Sequence, residues 1–157
     1  MKNLKKIIQQ ILLLIAVTSS CAMAQTSAVP IAAPVSTPWT ESELIDPAAL
    51  AKAINTSDAT IPLLLNIGAV EDIKGAKHIG PVSKAENMEK LRTAVAAVPK
   101  STPLIIYCGC CPFAKCPNIR PAFVELKKSG FTDVKVLNLP TNLHTNWIAR
   151  GFPLAQK

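Results

Sequence analysis

Charge is scarce in this chain. Of its 157 residues only 17% are Asp, Glu, Lys or Arg, against 49% hydrophobic. Disordered chains have the opposite balance, so the composition excludes one and calls for a packed core. The length suits one domain and excludes two large ones. Histidine is scarcer still, with only His78 and His144, and two residues so placed support no Ser-His-Asp arrangement. His78 is expected to make a structural hydrogen bond at a strand edge, and His144 to be a solvated loop residue. No internal repeat is visible. The apolar run Ile11 to Val17 is seven residues long, well short of the roughly 20 that a membrane-spanning helix needs.

That short run is flanked by the basic head Met1-Lys-Asn-Leu-Lys-Lys6 and by the small residues Ala22-Met23-Ala24, which is the layout of a secretory signal peptide over residues 1–24. Ser19-Ser20-Cys21 also places a cysteine where a bacterial lipoprotein would be cleaved and lipidated, although Thr18 stands where such sites usually have Leu. Either route predicts an exported, periplasmic protein of a bacterial envelope, soluble or anchored through Cys21, in a compartment where thiols meet oxidants. The formal charge of +7 also changes on this reading. Loss of Lys2, Lys5 and Lys6 leaves fourteen basic residues against ten acidic ones, or +4, and that mild excess carries no nucleic-acid footprint. Residues 25–38 hold no charge but three prolines (Pro30, Pro34, Pro38) and read as a stiff linker. The domain is expected over 39–157, as a monomer.

Within it, Asp46-Pro47 reads as an N-cap with proline at the first helical position, opening a helix over 47–55. Leu63-Leu-Leu-Asn-Ile67 is an apolar run between Pro62 and Gly68, suited to a strand buried on both faces. Ser83-Lys-Ala-Glu86 has the spacing of a capping box for a second helix, which carries Met88, Leu91, Val95 and Val98 on one side and ends by Pro99. Leu104-Ile-Ile-Tyr107 is the next buried strand and leads directly into Cys108. Pro121 to Lys128 reads as a third helix closed by Gly130, Val134-Lys-Val-Leu137 as a third strand, and Trp147 as a packing residue on a short last helix. Trp39 reads as core or rim packing. Alternating strands and helices predict a single α/β domain with a mainly parallel central sheet flanked by helices, and such sheets bind ligands beyond the carboxyl ends of their strands.

Cys108 stands at such an end. Beyond Cys21, all the cysteines fall within Cys108-Gly-Cys110-Cys111-Pro-Phe-Ala-Lys-Cys116. They can bridge only within one loop or act on something else. The loop runs into a helix N-terminus near Asn118 or Ile119, whose free amides favour an anion, and Lys115 and Arg120 are close in sequence. Each feature stabilises a thiolate over a thiol, which marks Cys108 as a candidate nucleophile.

The stretch Leu104-Ile-Ile-Tyr-Cys108, the helix ending Leu126-Lys-Lys-Ser-Gly130-Phe131, the strand Val134 to Leu137, and Trp147-Ile-Ala-Arg-Gly151-Phe-Pro153 together resemble the second half of a rhodanese domain. Leu64-Leu-Asn-Ile67 and Gly75-Ala-Lys-His78-Ile-Gly80 are similar to its earlier segments, so the resemblance covers most of residues 40–157. It implies a compact α/β sulfurtransferase in which Cys108 carries sulfane sulfur as a persulfide between a small sulfur donor and a thiol acceptor or partner protein thiol, with neither a cofactor nor a resident metal. The resemblance makes the loop amide of Gly109 and the side chain of Arg120 anion-binding candidates, and closeness in sequence adds Lys115. The chain departs from the family in its longer loop, with 22 residues from Cys108 to Gly130. It departs again in Arg120, which lies further along than the family's arginine, and in Asn66 and Gly68, which replace an acidic and a basic residue.

Other readings of the loop stay open. Cys108-Gly-Cys110-Cys111 also contains a Cys-x-x-Cys spacing before a helix, so the chain could cycle between dithiol and disulfide, with Cys110, Cys111 or Cys116 resolving Cys108. Two cysteines could instead form a static loop disulfide, and four cysteines allow three full pairings. Four thiolates could hold a metal in a non-catalytic binding module, although adjacent Cys110 and Cys111 strain a tetrahedral zinc site, and copper(I) tolerates clustered soft ligands better.

Overall fold

A computed structural model describes residues 36–56 and 62–156, so the expected signal peptide and most of the linker lie outside the described residues. Five parallel strands form one sheet in the order β1-β5-β4-β2-β3: β1 Leu44–Ile45, β2 Leu63–Asn66, β3 Lys77–His78, β4 Leu104–Tyr107 and β5 Val134–Leu137. The helices are α1 Pro47–Asn55, α2 Ala85–Val95, α3 Ile119–Lys128 and the one-turn α4 Leu143–Asn146. The fold class expected from the sequence is the one observed. All strand pairs are parallel, and a single antiparallel bridge, Ile73 to Leu154, lies outside the strands. Among the described residues no helix is long and apolar enough to cross a membrane.

Because side chains alternate across a strand, β4 sends Leu104 and Ile106 to one face and Ile105 and Tyr107 to the other. The first face is covered by α2 and α3 through Leu91, Val95, Ile119, Phe123 and Leu126. The second is covered by α1 and α4, through Leu50, Ala51, Ile54 and Leu143, with Trp147. Cys108 continues the alternation and falls in the first cluster. Apolar cover on both faces explains why the strands read as continuous hydrophobic runs.

Strand order also fixes where a site can form. β2 and β4 are neighbours, yet the chain leaves β2 towards β3 at one edge and leaves β4 towards β5 on the other side. Their carboxyl ends therefore face a crevice between diverging connections. Cys108 lies on one wall of it, and Ile67-Gly68 lies on the other.

Asp46 caps α1 as expected, its carboxylate accepting the Ala48 and Ala49 amides at 2.8 and 3.1 Å. The capping box expected at Ser83 does not form. Lys84 is the N-cap of α2 and makes no side-chain cap bond, while the Ser83 amide donates to Asn118 Oδ1 at 2.8 Å. α3 begins at Ile119, where the cysteine loop is expected to meet a helix N-terminus, and two residues before the Pro121 at which the helical pattern starts. Trp147 lies just beyond α4, not on it, fully buried, with its indole donating to the Pro153 carbonyl at 3.1 Å.

Trp147→Ala is expected to cost about 3–5 kcal/mol, through the cavity it leaves, and Asp46→Ala about 0.5–2 kcal/mol, through loss of the cap. Val124→Ala, at a side chain 48% exposed, should stay within about 0.5 kcal/mol. Denaturant titration of the reduced protein measures all three.

Candidate thiol site

The cysteine loop is fastened at both ends before any chemistry is considered. Gly109 has φ +74°, a left-handed conformation that glycine takes at little cost, and its carbonyl accepts the Leu143 amide at 2.8 Å. A Cβ at Gly109 would lie 2.7 Å from the Leu143 Cβ, so only glycine lets the chain turn this close to α4. Further on, the Phe113 amide donates to the Leu139 carbonyl at 3.2 Å. Trp39 packs on Phe113 and Phe123, with ring centroids 6.0 and 5.7 Å apart. Across the crevice Gly68 closes the floor, where a Cβ would come within 2.8 Å of the Cys108 sulfur.

This turn brings the sulfurs together. Cys108 and Cys116 are buried, Cys111 is half-buried and Cys110 is exposed, and none of the four is in a disulfide. The Cys108 and Cys110 sulfurs are 3.2 Å apart, and those of Cys110 and Cys111 3.5 Å. The sulfurs of Cys108, Cys110 and Cys116 all lie within 4.8 Å of one another. Asn118, itself buried, donates its amide to the Cys108 sulfur at 3.2 Å. Because its Oδ1 is held by the Ser83 amide, Asn118 cannot turn away without leaving that N–H unpaired.

Cys116 lies just before α3, where its thiolate form is favoured. The S–H of Cys108 directed at it, together with the backbone N–H groups of Asn118 and Ile119, lowers the Cys116 thiol to about 5 against the opposing effect of burial. Cys108 moves the other way, held well above the usual thiol range by that same donation to Cys116 and by burial. Cys111 is pushed up to about 12, chiefly by burial and then by its bond with Cys110. The two buried sulfurs are therefore drawn in opposite directions, Cys116 towards the thiolate and Cys108 towards the thiol.

The helix terminus expected to activate Cys108 is present, but its amides face Cys116. Gly109 shapes the loop. Lys115 is exposed on the Phe113–Lys115 turn. Arg120 is also exposed and donates to the Ser36 carbonyl at 2.6 Å; among the described residues it makes no bond to a sulfur. His78 makes the structural bond expected, to Asp72 at 3.0 Å, and His144 is exposed. Sequence reasoning missed Asn118 as a site residue. An asparagine two residues beyond a cysteine at a helix start was the available signal.

The three convergent sulfurs are soft donors, close enough for a three-coordinate soft ion such as copper(I). Adjacent Cys110 and Cys111, only one of them in this trio, do not suit a tetrahedral set.

The proton held by the pair gives a pH signature. Below about pH 5 folded and unfolded chains bind the same thiol protons. Above it the folded cluster has released one that the unfolded chain still holds, so stability rises with pH up to the ordinary thiol range. Beyond that range the unfolded thiols ionise while Cys108 stays protonated, and stability falls again. Denaturation of the reduced protein across this range should show the rise, and Cys116→Ser should remove it. Neither a protein-family model nor a curated protein sequence matches this chain.

Proposed function

We propose that the chain is an exported, rhodanese-like sulfurtransferase that carries sulfane sulfur as a persulfide on Cys108. One observation carries the reading. At the carboxyl end of β4, in the crevice between diverging strand connections, the buried Cys108 sulfur accepts the Asn118 side-chain amide at 3.2 Å and lies within 4.8 Å of the buried Cys116 sulfur at the start of α3. A persulfide is an anion, and this is a bowl of donors suited to one. The resemblance of the sequence around Cys108 to the rhodanese family supports the same reading, as does the signal-like N-terminus for export.

The step balances with the groups at hand. Cys108 attacks the outer sulfur of thiosulfate and its proton passes to Cys116. The S–S bond of thiosulfate breaks and sulfite leaves with the electron pair. Cys108 is left with a terminal, negatively charged sulfur and Cys116 as a thiol. Cys108 is buried and the exposed Cys110 lies 3.2 Å from it, so entry of the donor needs a side-chain motion, which takes picoseconds to nanoseconds at exposed positions.

A second reading, a dithiol–disulfide protein, is favoured by the 3.2 Å separation of Cys108 and Cys110. The two differ in a direct assay. Pre-reduced protein freed of reductant and mixed with thiosulfate should release one sulfite per chain, and Cys108→Ser should release none. Sulfite release that survives Cys108→Ser would overturn the assignment of the carrier. Absence of release from the unmodified chain would favour the dithiol reading.

A further inference from the structure

We propose that Cys110 is a built-in acceptor that resolves the persulfide on Cys108, so that the protein releases hydrogen sulfide and closes a Cys108–Cys110 disulfide. This rests on the sulfur-transfer reading and names the acceptor that reading leaves open. The two sulfurs are 3.2 Å apart, inside the roughly 3–3.5 Å expected of atoms poised to react. They are held there by Gly109. Its positive φ folds the Cys-Gly-Cys segment back on itself, and its carbonyl is tied to the start of α4.

Burial assigns the roles. Cys108 is 1% exposed and Cys110 is exposed, so the carrier is shielded from outside thiols while the residue that resolves it stands at the surface. Cys116, the proton acceptor of the first step, lies within 4.8 Å of both sulfurs but is itself buried, which leaves Cys110 as the sulfur free to move into the exchange.

In the resolving step the Cys110 sulfur attacks the Cys108 sulfur. A Cys110–Cys108 bond forms, the bond between Cys108 and the transferred sulfur breaks, and that sulfur leaves as hydrosulfide with the electron pair and the proton given up by Cys110. The two thiols are oxidised by two electrons and the sulfane sulfur is reduced by two, so no outside oxidant enters. A further turnover needs a dithiol reductant to reopen the disulfide.

The test uses the full exported protein, reduced, freed of reductant and mixed with thiosulfate. The expected result is sulfite and sulfide in equal amounts, one of each per chain. Differential alkylation should find Cys108 and Cys110 oxidised together and Cys111 and Cys116 still free, and dithiothreitol should restore turnover. Cys110→Ser should still release sulfite but no sulfide, and should gain the mass of one sulfur atom on Cys108. Circular dichroism of each variant checks that it has folded.

If the unmodified chain releases sulfite and keeps the extra sulfur, or if Cys110→Ser still releases sulfide, the inference fails and the sulfur-transfer reading stands. If no sulfite appears from either chain, the sulfur-transfer reading itself fails.

Discussion

A charged sulfur buried beside the end of a β-strand is expensive unless N–H groups are aimed at it, and the site depends on how that cost is met. The first turn of α3 supplies two backbone amides to Cys116, and Asn118 supplies its side-chain amide to Cys108. None of these donors can move alone. Asn118 is locked by the Ser83 amide at the start of α2, and Ile119 is part of the apolar layer under α3. The electrostatics of the cluster is thus coupled to the packing of the two helices on that face of the sheet.

The other face contributes shape. α4 holds Gly109, Leu139 holds Phe113, and Gly68 leaves room for the Cys108 sulfur where any Cβ would displace it. Four cysteines in a nine-residue loop are thereby sorted by environment: one buried sulfur drawn towards the thiol, one buried sulfur drawn towards the thiolate, one exposed in contact with the first, and one half-buried whose proton is held tightly. Identical side chains acquire different tasks from burial and from the amides they face, as expected where thiol reactivity follows pKa and access.

Much of the scaffold was legible in the sequence because its signals are local. Leu63 to Asn66, Leu104 to Tyr107 and Val134 to Leu137 are apolar runs bounded by turns, and Asp46-Pro47 is a self-contained cap. The edge strands β1 and β3 were not legible, since two residues each carry no period. The Ser83 capping box failed for a long-range reason: its backbone amide is used by Asn118, 35 residues away. The site was legible to the same depth. Clustering at the end of β4 is written in the chain, whereas the choice of which sulfur keeps the proton depends on where the α3 amides point, and spacing does not encode that. Arg120, close in sequence to the cysteines, turns instead to Ser36, for adjacency along a chain does not fix the direction of a long side chain.

The shared proton is the central claim, and residue-resolved titration tests it most directly. Carbon-13 shifts of the cysteine Cβ atoms in reduced, selectively labelled protein should show Cys116 ionising near pH 5 while Cys108 remains a thiol through the neutral and mildly alkaline range. Cys116 titrating in the ordinary thiol range, or Cys108 ionising first, would contradict the account.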